Sequence, residues 1–166
     1  MARLKVTGLS DYTRKLEALG SAAAAQRVIK TAIYDGAAVV ARAISSEIDS
    51  IQVVPDHAHG TPENQINGAT VEQIDGLRNG LGVARMLQGD GGWNTKVSFD
   101  GYNATRTQKY PSGQPNAMIA ASIEGGTSFR RKNPFITRAV RKAKQAAEAA
   151  MAATAEEQIN QIMEGN

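Results

Sequence analysis

Apolar residues recur at three-to-four spacing along the first third of the chain: Ile29, Ile33, Gly36, Ala37, Val40, Ile44, Ile48 and Ile51 share one face. That period predicts a helix of about six turns beginning near Ala22. Gly36 lies inside this seam, where it costs about 1 kcal/mol of helix propensity relative to alanine; a neighbouring backbone in close approach would account for it. Ahead of this helix, Ser10 is a plausible N-cap for a short helix to about Leu19, with Leu9 before it, Leu16 and Leu19 on one face, and Gly20 as its stop.

The pattern breaks from Val53 to Gly68, where Pro55, Asp56, His57, His59, Gly60, Thr61, Pro62 and Asn64 fit neither helix nor strand periodicity. Connections longer than roughly 12 to 15 residues tend to be functional or disordered, so this loop is expected to fold only against a neighbouring subunit. Beyond it the chain is rich in glycine and reads as a small sheet. Leu81, Val83 and Arg85 to Leu87 form one short strand, Gly89-Asp90-Gly91-Gly92 a turn, and Thr95 to Phe99 a second strand with Val97 and Phe99 on one face. Gly76 to Gly82 also reads as turn, and Tyr102 to Thr107 as a further strand. The run from Pro115 to Glu124 has no clear period and suits either helix or strand; Pro115 at its start and Gly125-Gly126 at its stop favour a short helix.

The last element has the strongest start signal. Asn133 can cap orphan amides, and Pro134 suits the first helical position because its missing donor costs nothing there. The helix runs to about Met163 with a seam of Phe135, Ile136, Ala139, Val140, Ala143, Ala147, Ala150, Met151, Ala155, Ile159, Ile162 and Met163. Eight of the thirteen residues from Ala143 to Ala155 are alanine, which serves helix propensity or permits close approach. At about 1.5 Å per residue the helix spans roughly 45 Å, more than one small hairpin can cover, so part of it is expected to find another partner. The predicted fold is α+β: one domain over residues 1–166, with long N-terminal and C-terminal helices packed on a small antiparallel sheet.

Composition narrows the function classes. Hydrophobic residues make up 42% of the chain but aromatics only 5%, which favours closely packed helices over a thick core. There is no cysteine, so disulfides and thiolate metal sites are excluded. No secretory signal is evident, and no stretch reaches the roughly 18 to 20 consecutive apolar residues of a membrane span. His57 and His59, beside Asp56, are too few for a metal or hydrolytic site, and no cofactor motif is present. The glycine runs lack the lysine and strand-to-helix context of a phosphate-binding loop.

The net charge of +3 and pI near 9.3 are mild for a nucleic-acid binder. Their distribution says more: Arg130, Arg131, Lys132, Arg138, Arg141, Lys142 and Lys144 are followed only by Glu148, Glu156, Glu157 and Glu164. This order runs against the helix macrodipole. A solvated face explains it, and so does head-to-tail pairing in a ring, with one subunit's basic segment against its neighbour's acidic tail. Arg130, Arg131 and Lys132 lack interleaved aromatics, a weak pattern for phosphate contact.

Glu124, Gly126 and Thr127, followed by Asn133-Pro134-Phe135-Ile136 and Ala139, resemble the "E-x-G-T … P-F-(I/L)-x-x-A" signature of tail-completion and head–tail joining (neck) proteins of tailed bacteriophages. The resemblance covers the C-terminal third. Upstream, Gly76-Leu77-Arg78 keeps part of the family's "T-G-x-L-R" approach to the first strand, while Pro55 lies farther away and the loop is longer than in the pattern. The resemblance implies a virion protein at the head–tail junction, assembled in the host cytoplasm. It would act by binding, without turnover or cofactor. Its partners would be further copies in a hexameric or dodecameric ring, tail terminator or tail tube proteins, and portal, adaptor or stopper proteins, with at most incidental contact with phage DNA and none with membrane. Glu124, Gly126 and Thr127 would set the turn that orients the last helix, Phe135 and Ile136 would anchor it to the sheet, and Arg130, Arg131, Arg138 and Arg141 would face neighbours. The alternatives are a basic DNA-contacting or regulatory protein of phage origin and, with no credible catalytic set behind it, a hydrolase.

Overall fold

Two long helices form the frame. The computed structural model describes residues 22–56, 58–90 and 92–164; the helix expected over residues 10–19 lies outside them, as does His57. In chain order the elements are α1 (Ala22–Asp49), α2 (Val71–Gly80), β1 (Leu81–Val83), β2 (Leu87–Gly89), β3 (Gly92–Asn94), β4 (Val97–Phe99), α3 (Asn116–Gly125) and α4 (Phe135–Glu164). The architecture is α+β, with α1 and α4 packed together beside small two-stranded antiparallel sheets.

The long helices run antiparallel. Glu47 meets Arg138 and Lys142 near one end, Thr154 donates to Asp35 farther along, and Ala25 and Val28 join Ile159 in one cluster at the other. The α4 seam is buried at Phe135, Ala139, Ala143, Ala147, Met151, Ala155 and Ile159. Each step is four residues, so the stripe advances about 40° per step round an ideal helix. The slip lets one helix serve two clusters: Phe135 to Ala147 enter the main core, and Met151 to Ile159 close a smaller one with α1.

This pairing corrects three expectations. Most of the α4 seam is covered inside the chain and not by an outside partner, because α1 packs along the part beyond the sheet, although Met163 at its end stays exposed. Along the first half of α1 the buried residues are Ala25, Val28 and Ala32, while Ile29 and Ile33 are only half-buried. Small residues occupy the centre of the seam because the facing helix is close and alanine-rich. Gly36 faces a side chain rather than a backbone: a Cβ there would lie 2.6 Å from Met151 Cγ.

The main core gathers Ile44, Ile48, Ile74, Leu77, Phe99, Ile119, Ile123 and Phe135. Helix α2, whose second half reads as turn in the sequence, contributes Ile74 and Leu77. It is nucleated by a capping box, in which the Gln73 N–H donates to the Thr70 hydroxyl and the Thr70 N–H to the Gln73 side chain. Its glycine at 76 lies directly against Asn103 and Asn116.

The expected hairpin forms in two parts. β1 pairs with β4, Leu81 opposite Phe99 and Val83 opposite Val97, and β2 pairs with β3, Leu87 opposite Asn94. Between the two ladders residues 84–86 oppose 95–96, one extra residue on the first strand, which breaks the ladder and bends the ribbon. The outer ladder leans on α1, where Tyr34 Oη accepts from the Met86 N–H and the Lys30 ammonium lies 3.7 Å above the Trp93 ring. Tyr102 to Thr107 forms no strand: it makes a single bridge, Tyr102 to Pro115, and Asn103 turns the chain by accepting from the Thr105 N–H.

The two ends of the 53–68 segment do not wait for a neighbouring subunit. They are bound to their own chain by parallel bridges, Val53 with Ala69 and Ile66 with Arg130. The Val54 N–H donates to Ala69, and the Arg131 N–H to Ile66.

Candidate functional site

The residues that carry the family resemblance come together between the end of α3 and the start of α4. Helix α3 ends at Gly125, and Gly126 follows at φ +74°. A Cβ at Gly126 would meet the Lys132 backbone nitrogen at 3.0 Å, so both the conformation and the space select glycine. Thr127 then closes a tight turn. Its hydroxyl accepts from the N–H groups of Phe129 and Arg130 at 3.2 and 3.1 Å, and its own N–H donates to Arg130.

Glu124 binds the two helices together. Its carboxylate accepts from the backbone N–H groups of Ile136 and Thr137 at 2.8 and 3.1 Å, and from the Thr137 hydroxyl at 2.5 Å. These are first-turn amides of α4 with no partner inside the helix, and a negative charge is favourable at that end. The capping expected of Asn133 is therefore made by Glu124. Asn133 contributes backbone instead, its N–H donating to Ile123 and its carbonyl accepting from Phe135. Pro134 sits just ahead of the helix, its carbonyl accepting the first i→i−4 bond from Arg138. Phe135 is fully buried, 6.1 Å from the Phe99 ring of β4, and Ile136 packs against the same cluster at its edge.

The four arginines have different fates. Arg130 is buried and donates to Gln73 Oε1 at 2.8 Å, while its other terminal nitrogen, Nη1, has no hydrogen-bond partner among the described residues. Burial holds its pKa below the usual guanidinium value, and the side chain is not available to a phosphate. Gln73 continues the polar chain to the Gln114 side chain, so one buried network fastens both neighbouring loops to α2. Arg138 is also engaged, pairing with Glu47 at 2.9 Å. Arg131 and Arg141 are exposed.

Glu47 is the site residue that motif reading does not find. It is only 8% exposed, and its two oxygens take Arg138 on one side and Lys142 on the other, at 2.9 and 2.6 Å. The hydrogen bond from Lys142, with those and the charge from Arg138, holds its carboxyl below the usual carboxylate range against the opposing effect of burial. The sequence signal was a carboxylate between Ile44 and Ile48 in the apolar seam. Two cations that the charge pattern assigns to a neighbour's acidic tail are thus occupied within the chain.

Chemically, the region sets the angle between helices and presents exposed groups on a rigid turn. Among the described residues no three metal-ligating side chains are gathered, and no helix is long and apolar enough to cross a membrane. No protein-family model, curated protein or solved structure matches the chain.

Proposed function

We propose that this protein is a structural component of a tailed-phage virion, forming a ring at the head–tail junction that completes the tail and joins it to the portal and adaptor complex. The observation that carries the reading is the knot made by Glu124, Gly126 and Thr127. The residues of the resemblance act together as one device, fixing where α4 leaves the core and how it starts. A joining protein works by shape and needs no reacting group, and this device holds shape. On this reading the protein acts without turnover or cofactor, in the virion, after assembly in the host cytoplasm. Arg131 and Arg141 remain for contacts with neighbouring subunits, tail proteins or portal and adaptor proteins.

The test is cosedimentation of the purified protein with portal–adaptor assemblies and with tail tubes from the parent phage, followed by addition to tails made without it. Binding to either, with recovery of joined particles, is expected. Absence of binding to both overturns the reading. Retention on DNA at low salt, with steep loss as salt rises, would favour the DNA-contacting alternative.

A further inference from the structure

We propose that copies of this chain associate head to tail by inserting Phe129 of one copy into a recess between α1 and α2 of the next. This inference rests on the ring reading above and names the contact that would build the ring.

Phe129 is 55% exposed, although it is a large aromatic in a chain with few of them. It is also rigidly held. Its N–H donates to the Thr127 hydroxyl, its carbonyl accepts from the Ile66 N–H at 3.0 Å, and the next residue bridges to Ile66. An aromatic presented on a locked backbone loses little freedom on docking, which is what makes an effective anchor.

The recess has the matching character. Its floor is the buried apolar surface of Ile48, Ile51 and Ile74, and its rim carries Val53 and Val71, 58% and 50% exposed. Its volume is about 70 Å³, roughly half of the ~150 Å³ that encloses a benzene ring, so it admits a ring edge rather than a whole side chain. The polar side of the rim is Arg78 held by two carboxylates, Asp49 at 2.9 Å and Asp75 at 3.1 Å, one negative charge in excess. Phe129 is followed by the exposed cations Arg131 and Lys132. An aromatic with a cationic flank and a recess of mixed lining, with Val53 and Val71 exposed at its edge and an anionic side, are complementary in charge, and the ring edge can cover the exposed valines. Both are on every copy, so a second copy is the partner that this surface fits.

The experiment is sedimentation of the full chain and of the exposed-site variants Phe129→Asp and Val71→Asp, with circular-dichroism melting to confirm that each still folds. The parent is expected to form concentration-dependent species larger than a dimer. Each variant should associate on the order of tenfold or more weakly, as for an anchor at the centre of an interface. An equimolar mixture of the two should stop at dimers, because only one intact junction forms per pair. Lys132→Glu should weaken association, and Asp75→Lys added to it should restore it. A parent that stays monomeric, or variants that associate as the parent does, would overturn the contact. Binding of portal–adaptor assemblies or tail tubes is scored separately on the same samples: binding without self-association defeats this inference and leaves the neck reading standing, and self-association without binding does the reverse.

Discussion

Glu47 concentrates more of the fold's electrostatics than any charged residue around it, because it is ionised inside the seam between α1 and α4. Its folded pKa lies below the unfolded one, so its contribution is present above the unfolded carboxylate value of about 4.3 and is lost as pH falls through the folded value. Glu47→Gln is expected to cost about 2 kcal/mol at neutral pH and to flatten the acid limb of the stability curve, read from urea unfolding between pH 7 and roughly pH 3. Although Lys142 makes the shorter bond, its side chain is 67% exposed against 32% for Arg138, and solvent screens its share. Lys142→Met should therefore cost less than Arg138→Met, and equal losses would contradict that ordering. Glu124 acts differently: it is bound to amides, not to cations. Glu124→Ala is expected to destabilise by about 1 to 2 kcal/mol, the usual range for a lost helix cap, with Glu124→Gln intermediate because one amide oxygen can still accept.

At the scale of elements, the long helices were legible because their information is local. The seams of α1 and α4 repeat for many turns, and α3 carries Pro115 and Gly125-Gly126 at its ends. Helix α2 was hidden by two glycines in ten residues, each costing about 1 kcal/mol of propensity; the signal that outweighs them is the box of Thr70 and Gln73. The break in the hairpin and the burial of Arg130 were not legible, since one depends on strand register and the other on Gln73, 57 residues away. The glycine in the α1 seam was noticed but its partner was not, and this gives a test of close approach. Gly36→Ala removes a propensity penalty of about 1 kcal/mol yet places a Cβ 2.6 Å from Met151 Cγ. We expect net destabilisation in the parent and net stabilisation when Met151→Ala has already removed the obstacle, a change of sign that a double-mutant cycle measures directly.

For the molecule as a whole, the decisive asymmetry is between its two apolar clusters. Main-core residues from α1 and α4, such as Ile44, Ile48 and Phe135, are backed by α2, α3 and β4 through Leu77, Ile123 and Phe99. Among the described residues, the far ends of the same helices share a smaller cluster of Ala25, Val28, Ala32, Met151, Ala155 and Ile159, edged by Ile162. Alanines bury little area, and stabilisation at about 25 cal/mol per Å² follows area, so the far end opens at lower free energy than the core that anchors it. Native-state hydrogen exchange should show this as a step along each helix. Amides from about Ala25 to Ile33 and from Met151 to Asn160 should exchange through a partial opening, while those from Val40 to Ile48 and from Ala139 to Ala147 should exchange only on global unfolding. Val28→Ala should accelerate the first group and leave the second nearly unchanged, whereas Ile44→Ala should accelerate both. Uniform protection along α1 and α4 would mean that the paired helices unfold as one unit with the core, and the small cluster would then be stronger than its buried area implies.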